Sequence, residues 1–100
     1  MDMRFLMKQA QKMQADLLAA QQGLRVVGTA GGESVKITLN GAKEIVGISI
    51  AKEAMDPDDP SMLEDLIIAA YSDAAAKAAE GMAKATGGMA SGLNIPGFNF

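Results

Sequence analysis

Arg4, Lys8 and Lys12 stand four residues apart in the stretch RFLMKQAQKMQ. On a helix, that spacing lays three cations along one face, with about 12 Å of rise from first to last. A line of this kind suits a ligand carrying its own row of charge, and duplex DNA presents one phosphate charge per ~1.7 Å of axis. Lys77 and Lys84, seven residues apart, form a second and sparser pair. An ordinary solvated helix face has the same pattern, so the spacing alone does not decide between the two. Gln11, among the cations, has the amide that pairs with adenine, but solubilising polarity accounts for it equally well.

Little other chemistry is open to this chain. It contains no Cys and no His, which removes thiol chemistry, the usual zinc ligands and His-based proton transfer. Ser34, Ser49 and Ser61 have no base to activate them. The run DPDDP (56–60) lacks the spacing, central Gly and terminal Glu of a calcium loop, and reads as a turn with a helix cap. Gly28, Gly31 and Gly32 read as hairpin glycines, with no helix following them to make a phosphate cradle. The chain is expected to be a non-enzyme with no cofactor, no metal and no small-molecule substrate.

The formal net charge is -3, which at first argues against a polyanion partner. Six of the twelve carboxylates, however, lie between Glu53 and Asp65 with no cation among them. Outside that segment nine cations face six acids, a balance of +3. The acidity is local, and a basic surface elsewhere is compatible with it.

The elements that would hold the cations follow from periodicity. Met3, Leu6, Ala10, Met13, Leu17, Ala20 and Leu24 keep alternating three- and four-residue spacing, predicting a helix over residues 2–22 with Gly23 ending it. At 100° per residue the cations fall opposite that apolar seam. LRVVGT, SVKITLN and KEIVGISI read as three strands. AGGE is read as a glycine turn, and Asn40-Gly41 as a two-residue type I′ turn. Val35, Ile37 and Leu39 should share one face, as should Val46, Ile48 and Ile50. A second helix is expected from about Pro60 to Thr86, capped by Asp59 or by a Ser61/Glu64 box. Its core face should be Leu63, Leu66, Ile67, Ala70, Ala74 and Ala78, with Gly81 present for close packing. The fold class is therefore α+β, an α-β-β-β-α chain with a three-stranded antiparallel sheet between two long helices. Residues 1–88 read as one domain and 89–100 as a Gly-rich uncharged tail, with Leu93, Ile95, Phe98 and Phe100 as possible anchors.

A helix of about 21 residues is roughly 30 Å long, whereas three strands cover only ~15–20 Å. Much of the first helix's seam must overhang its own sheet. A second copy would bury it, and Leu6, Met13 and Leu17 are the expected homodimer contacts. The start of the chain lacks a signal-peptide core, and its most apolar segment is cut by Asp73 and Lys77 before reaching spanning length. A cytoplasmic protein with no membrane association is expected.

The runs LMKQAQKMQ, VKITLNGAKEIVGISI and MLEDLIIAAYSDAAAKA, in this order, together with the ending GLNIPGF, resemble the YbaB/EbfC family of bacterial nucleoid-associated proteins. The matching runs are Met7 to Gln11 and Leu63 to Leu66, and the resemblance covers nearly the whole chain. Departures fall at Ala51-Lys52, where relatives often have Asp-Pro, and at Ala75-Ala76, where they are commonly more basic. The resemblance implies an intertwined homodimer in the nucleoid that binds double-stranded DNA through protruding helices and alters its conformation. Arg4, Lys8, Lys12, Lys77 and Lys84 are the candidate DNA contacts. Eight methionines leave open a small acidic dimeric holdase or protein-interaction adaptor, since Met-rich helices suit promiscuous binding. A membrane-surface helix is disfavoured by the narrow basic face and the Ala-rich seam.

Overall fold

The computed structural model describes residues 2–93, with side chains through residue 87. Helix α1 spans Met3–Gly23. Asp2 starts it by accepting a hydrogen bond from the Arg4 N–H at 3.1 Å. At the far end Leu24 turns extended while its N–H still reaches the Ala20 carbonyl. The Arg25 guanidinium donates to the Gln22 and Leu24 carbonyls, so carbonyls at the helix end find a partner. Gly23 lies inside the last turn and is not a left-handed cap.

Strands β1 (Val26–Ala30), β2 (Val35–Leu39) and β3 (Ile45–Ile50) form an antiparallel sheet in the order β1-β2-β3. Gly31 and Gly32 adopt φ +60° and +70° and make the first turn. The second turn differs from the expected type I′. The loop closes from Asn40 to Glu44, and Lys43 takes the positive φ (64°). Asn40 is buried and accounts for that choice. Its carboxamide oxygen accepts from the Ala42 and Glu44 N–H groups, and its Nδ2 donates to the Glu44 carboxylate. A side chain able to imitate the backbone in this way stabilises a longer loop.

Helix α2 runs over Pro60–Leu93, seven residues beyond the expected end near Thr86. Asp59 caps it, accepting from the Met62 N–H and the Ser61 hydroxyl, with Pro60 in first position. Ile95, Phe98, Phe100 and the side chain of Leu93 lie outside the described residues.

The core is thin. Val35, Ile37 and Leu39 are fully buried under Ala70 and Ala74 of α2, with Ala54, from the short 3-10 turn Lys52–Ala54, completing it. Leu63, Leu66 and Ile67 pack against this cluster as expected. Small residues let the helix approach closely: a Cβ on Gly28 would collide with the Ala70 carbonyl and the Ala74 backbone. Gly28 therefore lies within β1 as the seat of α2 and is not a hairpin residue.

β3 departs from the expected alternation. Leu39 pairs with Ile45 while Thr38 pairs with Gly47, so Val46 is an inserted residue. The face shared with β2's core residues is Ile45, Ile48 and Ile50, not Val46, Ile48 and Ile50. Because α2 lies across β1 and β2, Ile45 and Ile48 stay 57% and 53% exposed.

Candidate nucleic-acid interface

α1 leaves the body as a projecting arm. No residue of α1 is buried, and every residue from Asp2 to Asp16 is exposed. Only Leu17, Ala20 and Gln21 near its end, and Leu24 just beyond, are half-buried. Arg4, Lys8 and Lys12 stand on the outer part of the arm. Among the described residues, none of their side chains makes an ion pair or hydrogen bond. The cations thus keep their full donor capacity for an external anion. The seam opposite is also open: Met3 is 71%, Leu6 42% and Met13 43% exposed.

The two lysines of α2 sit differently. Lys84 pairs with Glu80 at 3.5 Å, with both side chains mostly in solvent. A pair of that kind contributes about 0–1 kcal/mol, so a phosphate competes with it at little cost. Lys77 is committed to the fold. Its Nζ donates to the Val27 carbonyl at 2.9 Å and lies 3.1 Å from the Asp73 carboxylate. The same carboxylate accepts from the Thr29 N–H at 3.0 Å. That backbone hydrogen bond, then the Lys77 partner, holds the Asp73 carboxyl below its ordinary value of 3.8.

Asp73 and Lys77, one helical turn apart, therefore cap the polar groups along the outer edge of β1. Among the described residues, β3 has no such guard. The Ala51 N–H bonds to the Ser34 carbonyl, and the alternation of the ladder then turns the N–H and C=O of Ile48 and Ile50 away from β2. No hydrogen bond from another element reaches these groups among the described residues. The Asp73–Lys77 pair is visible in sequence only as an i,i+4 charge pair; its role depends on which strand edge the helix crosses.

The described residues thus form an α-β-β-β-α chain whose projecting first helix carries a line of cations with no ion pair among them. Residues 1–93 match the YbaB/EbfC DNA-binding family, and the chain belongs to that family. It is 46% identical to a nucleoid-associated protein of Pelotomaculum thermopropionicum over 99 residues, covering 96% of this chain and 94% of that protein. A nucleoid-associated protein of Desulforamulus reducens is 48% identical with the same coverage. One from Rhodococcus erythropolis is 44% identical over 105 residues, covering 97% and 94%. The fold is shared with the crystal structure of an uncharacterized protein from Helicobacter pylori. That match has a TM-score of 0.68 at 17% identity and covers 95% of this chain and 99% of that one.

Proposed function

We propose that the DNA binding of this family is carried out here by a homodimer whose α1 arms lay Arg4, Lys8 and Lys12 against the phosphates of double-stranded DNA. The observation that carries this reading is that, among the described residues, the three cations have no ion pair or side-chain hydrogen bond and stand on the outer part of the arm, where every residue is exposed. Lys84 is a further contact, released easily from Glu80. Lys77 is a secondary one, since it already serves two oxygens of the fold. The relatives named above place the protein in the bacterial nucleoid, where phosphate contacts on two arms would alter DNA conformation. No helix among the described residues is long and apolar enough to cross a membrane. We read the protein as a non-enzyme: the family it belongs to is a DNA-binding one, and its serines have no histidine to act as base.

A second copy is the occupant that best fits the two uncovered apolar surfaces. Among the described residues, Leu6 and Met13 on α1 and Ile45 and Ile48 on β3 remain exposed, and Leu17 is only half-buried. A twofold contact lets each copy cover the other's, and it closes the unguarded β3 edges together.

Titration of duplex DNA at several salt concentrations tests the reading. Three contacts per chain in a dimer release about six counterions, giving a slope of log affinity against log salt near -5. Changing Lys8 and Lys12 to Ala in both chains should remove roughly 3–4 units of that slope. Melting should be nearly unchanged, because both side chains are exposed and unpaired. Wild-type affinity and slope in the double variant would return the stripe to the status of a solvated face. The exposed Met3, Met7 and Met13 favour a second reading, a holdase, which salt-insensitive suppression of client aggregation would support.

A further inference from the structure

The arm meets its own body at a small joint built on two glycines. Gly81 of α2 faces Leu24, and a Cβ placed there would lie 3.0 and 3.2 Å from the two leucine methyls. Gly41, in the β2–β3 turn, faces the end of α1. Its N–H donates to the Gln21 carbonyl at 2.8 Å. A Cβ on Gly41 would lie 2.9 Å from the Gln21 Cα and collide with the Met82 sulfur. Neither glycine has positive φ, so backbone conformation does not require them. What they provide is closeness. Outward of Leu17, no residue of the arm is even half-buried.

From this we infer that Gly41 and Gly81 are positioning residues for DNA binding, setting the direction in which α1 carries Arg4, Lys8 and Lys12. The inference rests on the stripe being the DNA contact and adds what aims it. Leverage makes the joint matter. A shift of a few tenths of an ångström at Leu24, taken across the ~5 Å half-width of a helix, tilts α1 by about 4°. Over the ~24 Å of rise between Leu24 and Lys8 that tilt becomes ~2 Å. Hydrogen bonds to phosphate tolerate only a few tenths of an ångström around ~2.9 Å, so a displaced arm loses contacts that a correctly aimed one makes.

The joint predicts an uncommon combination of effects. Gly81→Ala replaces a poor helix former with the best one, so α2 should become no less stable. The same methyl presses on Leu24 and should misdirect the arm. Affinity for duplex DNA should fall, with a loss of about one to two units of salt slope, while the melting temperature holds or rises. Adding Leu24→Val removes one carbon where Gly81→Ala added one, and this volume-conserving pair should restore binding. Arm direction is read separately from function. The chain has no cysteine, so Gln9→Cys and Ala79→Cys accept spin labels selectively, and pulsed dipolar spectroscopy on labelled protein diluted with unlabelled protein gives the intramolecular distance. The expected result is a shift of ~2 Å in the Gly81→Ala background that reverts with Leu24→Val. An unchanged distance, wild-type DNA binding by Gly81→Ala, or no rescue by Leu24→Val would each overturn the joint. The Lys8/Lys12→Ala variant, measured alongside, tells the two ideas apart. If it binds like wild type, the stripe itself is wrong, whatever the labels report about the arm.

Discussion

Asp73 shows how a single carboxylate can join two elements of this chain. It accepts the Thr29 N–H of β1 and pairs with Lys77, which in turn serves the Val27 carbonyl. These partners favour the charged form, so the folded-state pKa lies below the ordinary 3.8. By linkage, an Asp with a depressed pKa contributes stability in full above its unfolded value and loses it as pH falls through the folded one. Asp73→Asn should therefore lower the melting temperature at pH 7, and the gap from wild type should close as pH drops below about 3.8. Melting curves at pH 7, 5 and 3 check this; a gap that does not narrow in acid would mean the pair contributes no net charge stabilisation. The cations of the arm were legible in sequence because exposure at four-residue spacing needs no tertiary information. Asp73 was not, because its value depends on a strand edge brought to it by packing.

Among the elements, β2 was fully legible and β3 was not. Val35, Ile37 and Leu39 alternate without interruption, and a strand with neighbours on both sides has only one way to bury such a set. In β3 the run Ile45-Val46 offers two apolar residues in succession, and the bulge selects Ile45 for the core side. Sequence alternation cannot show an inserted residue. The α2 face was also legible, down to the three buried alanines Ala70, Ala74 and Ala78. The glycine that receives that face lay outside the helix pattern, although a lone Gly inside a strand is a known mark of close backbone approach. Gly28→Ala tests the seat directly. Its methyl meets main-chain atoms of Ala70 and Ala74, which cannot rotate away as a side chain would. Overpacking of this kind should cost about 1–3 kcal/mol or more in chemical denaturation. A variant as stable as the parent would show that α2 can lift off β1 without penalty.

At the scale of the whole molecule, apolar surface stands open in two places: on the arm, where Met3 and Met13 are 71% and 43% exposed, and on the free strand β3, where Ile45 is 57% exposed. Ile48 distinguishes a chain that pairs from one that stays alone. In the single chain it is 53% exposed on the open strand, so a lysine there can lay its stem on the sheet and keep its amine in water. In a dimer closed along β3 the same lysine carries a charge into an apolar contact on both copies. At ~2–3 kcal/mol for each, Ile48→Lys should weaken dimerisation by about a thousandfold or more. Val27→Lys is the control, since Val27 is 43% exposed on the sheet face away from α2 and should leave association unchanged. Sedimentation at ten micromolar should give about twice the chain mass for wild type and Val27→Lys, and one chain mass for Ile48→Lys. The DNA salt slope of Ile48→Lys should fall to about half that of wild type, because one arm offers about three phosphate contacts where two offered six. A wild-type monomer, or an Ile48→Lys dimer with an unaltered slope, would place the DNA-binding unit somewhere other than a pair of chains joined at β3.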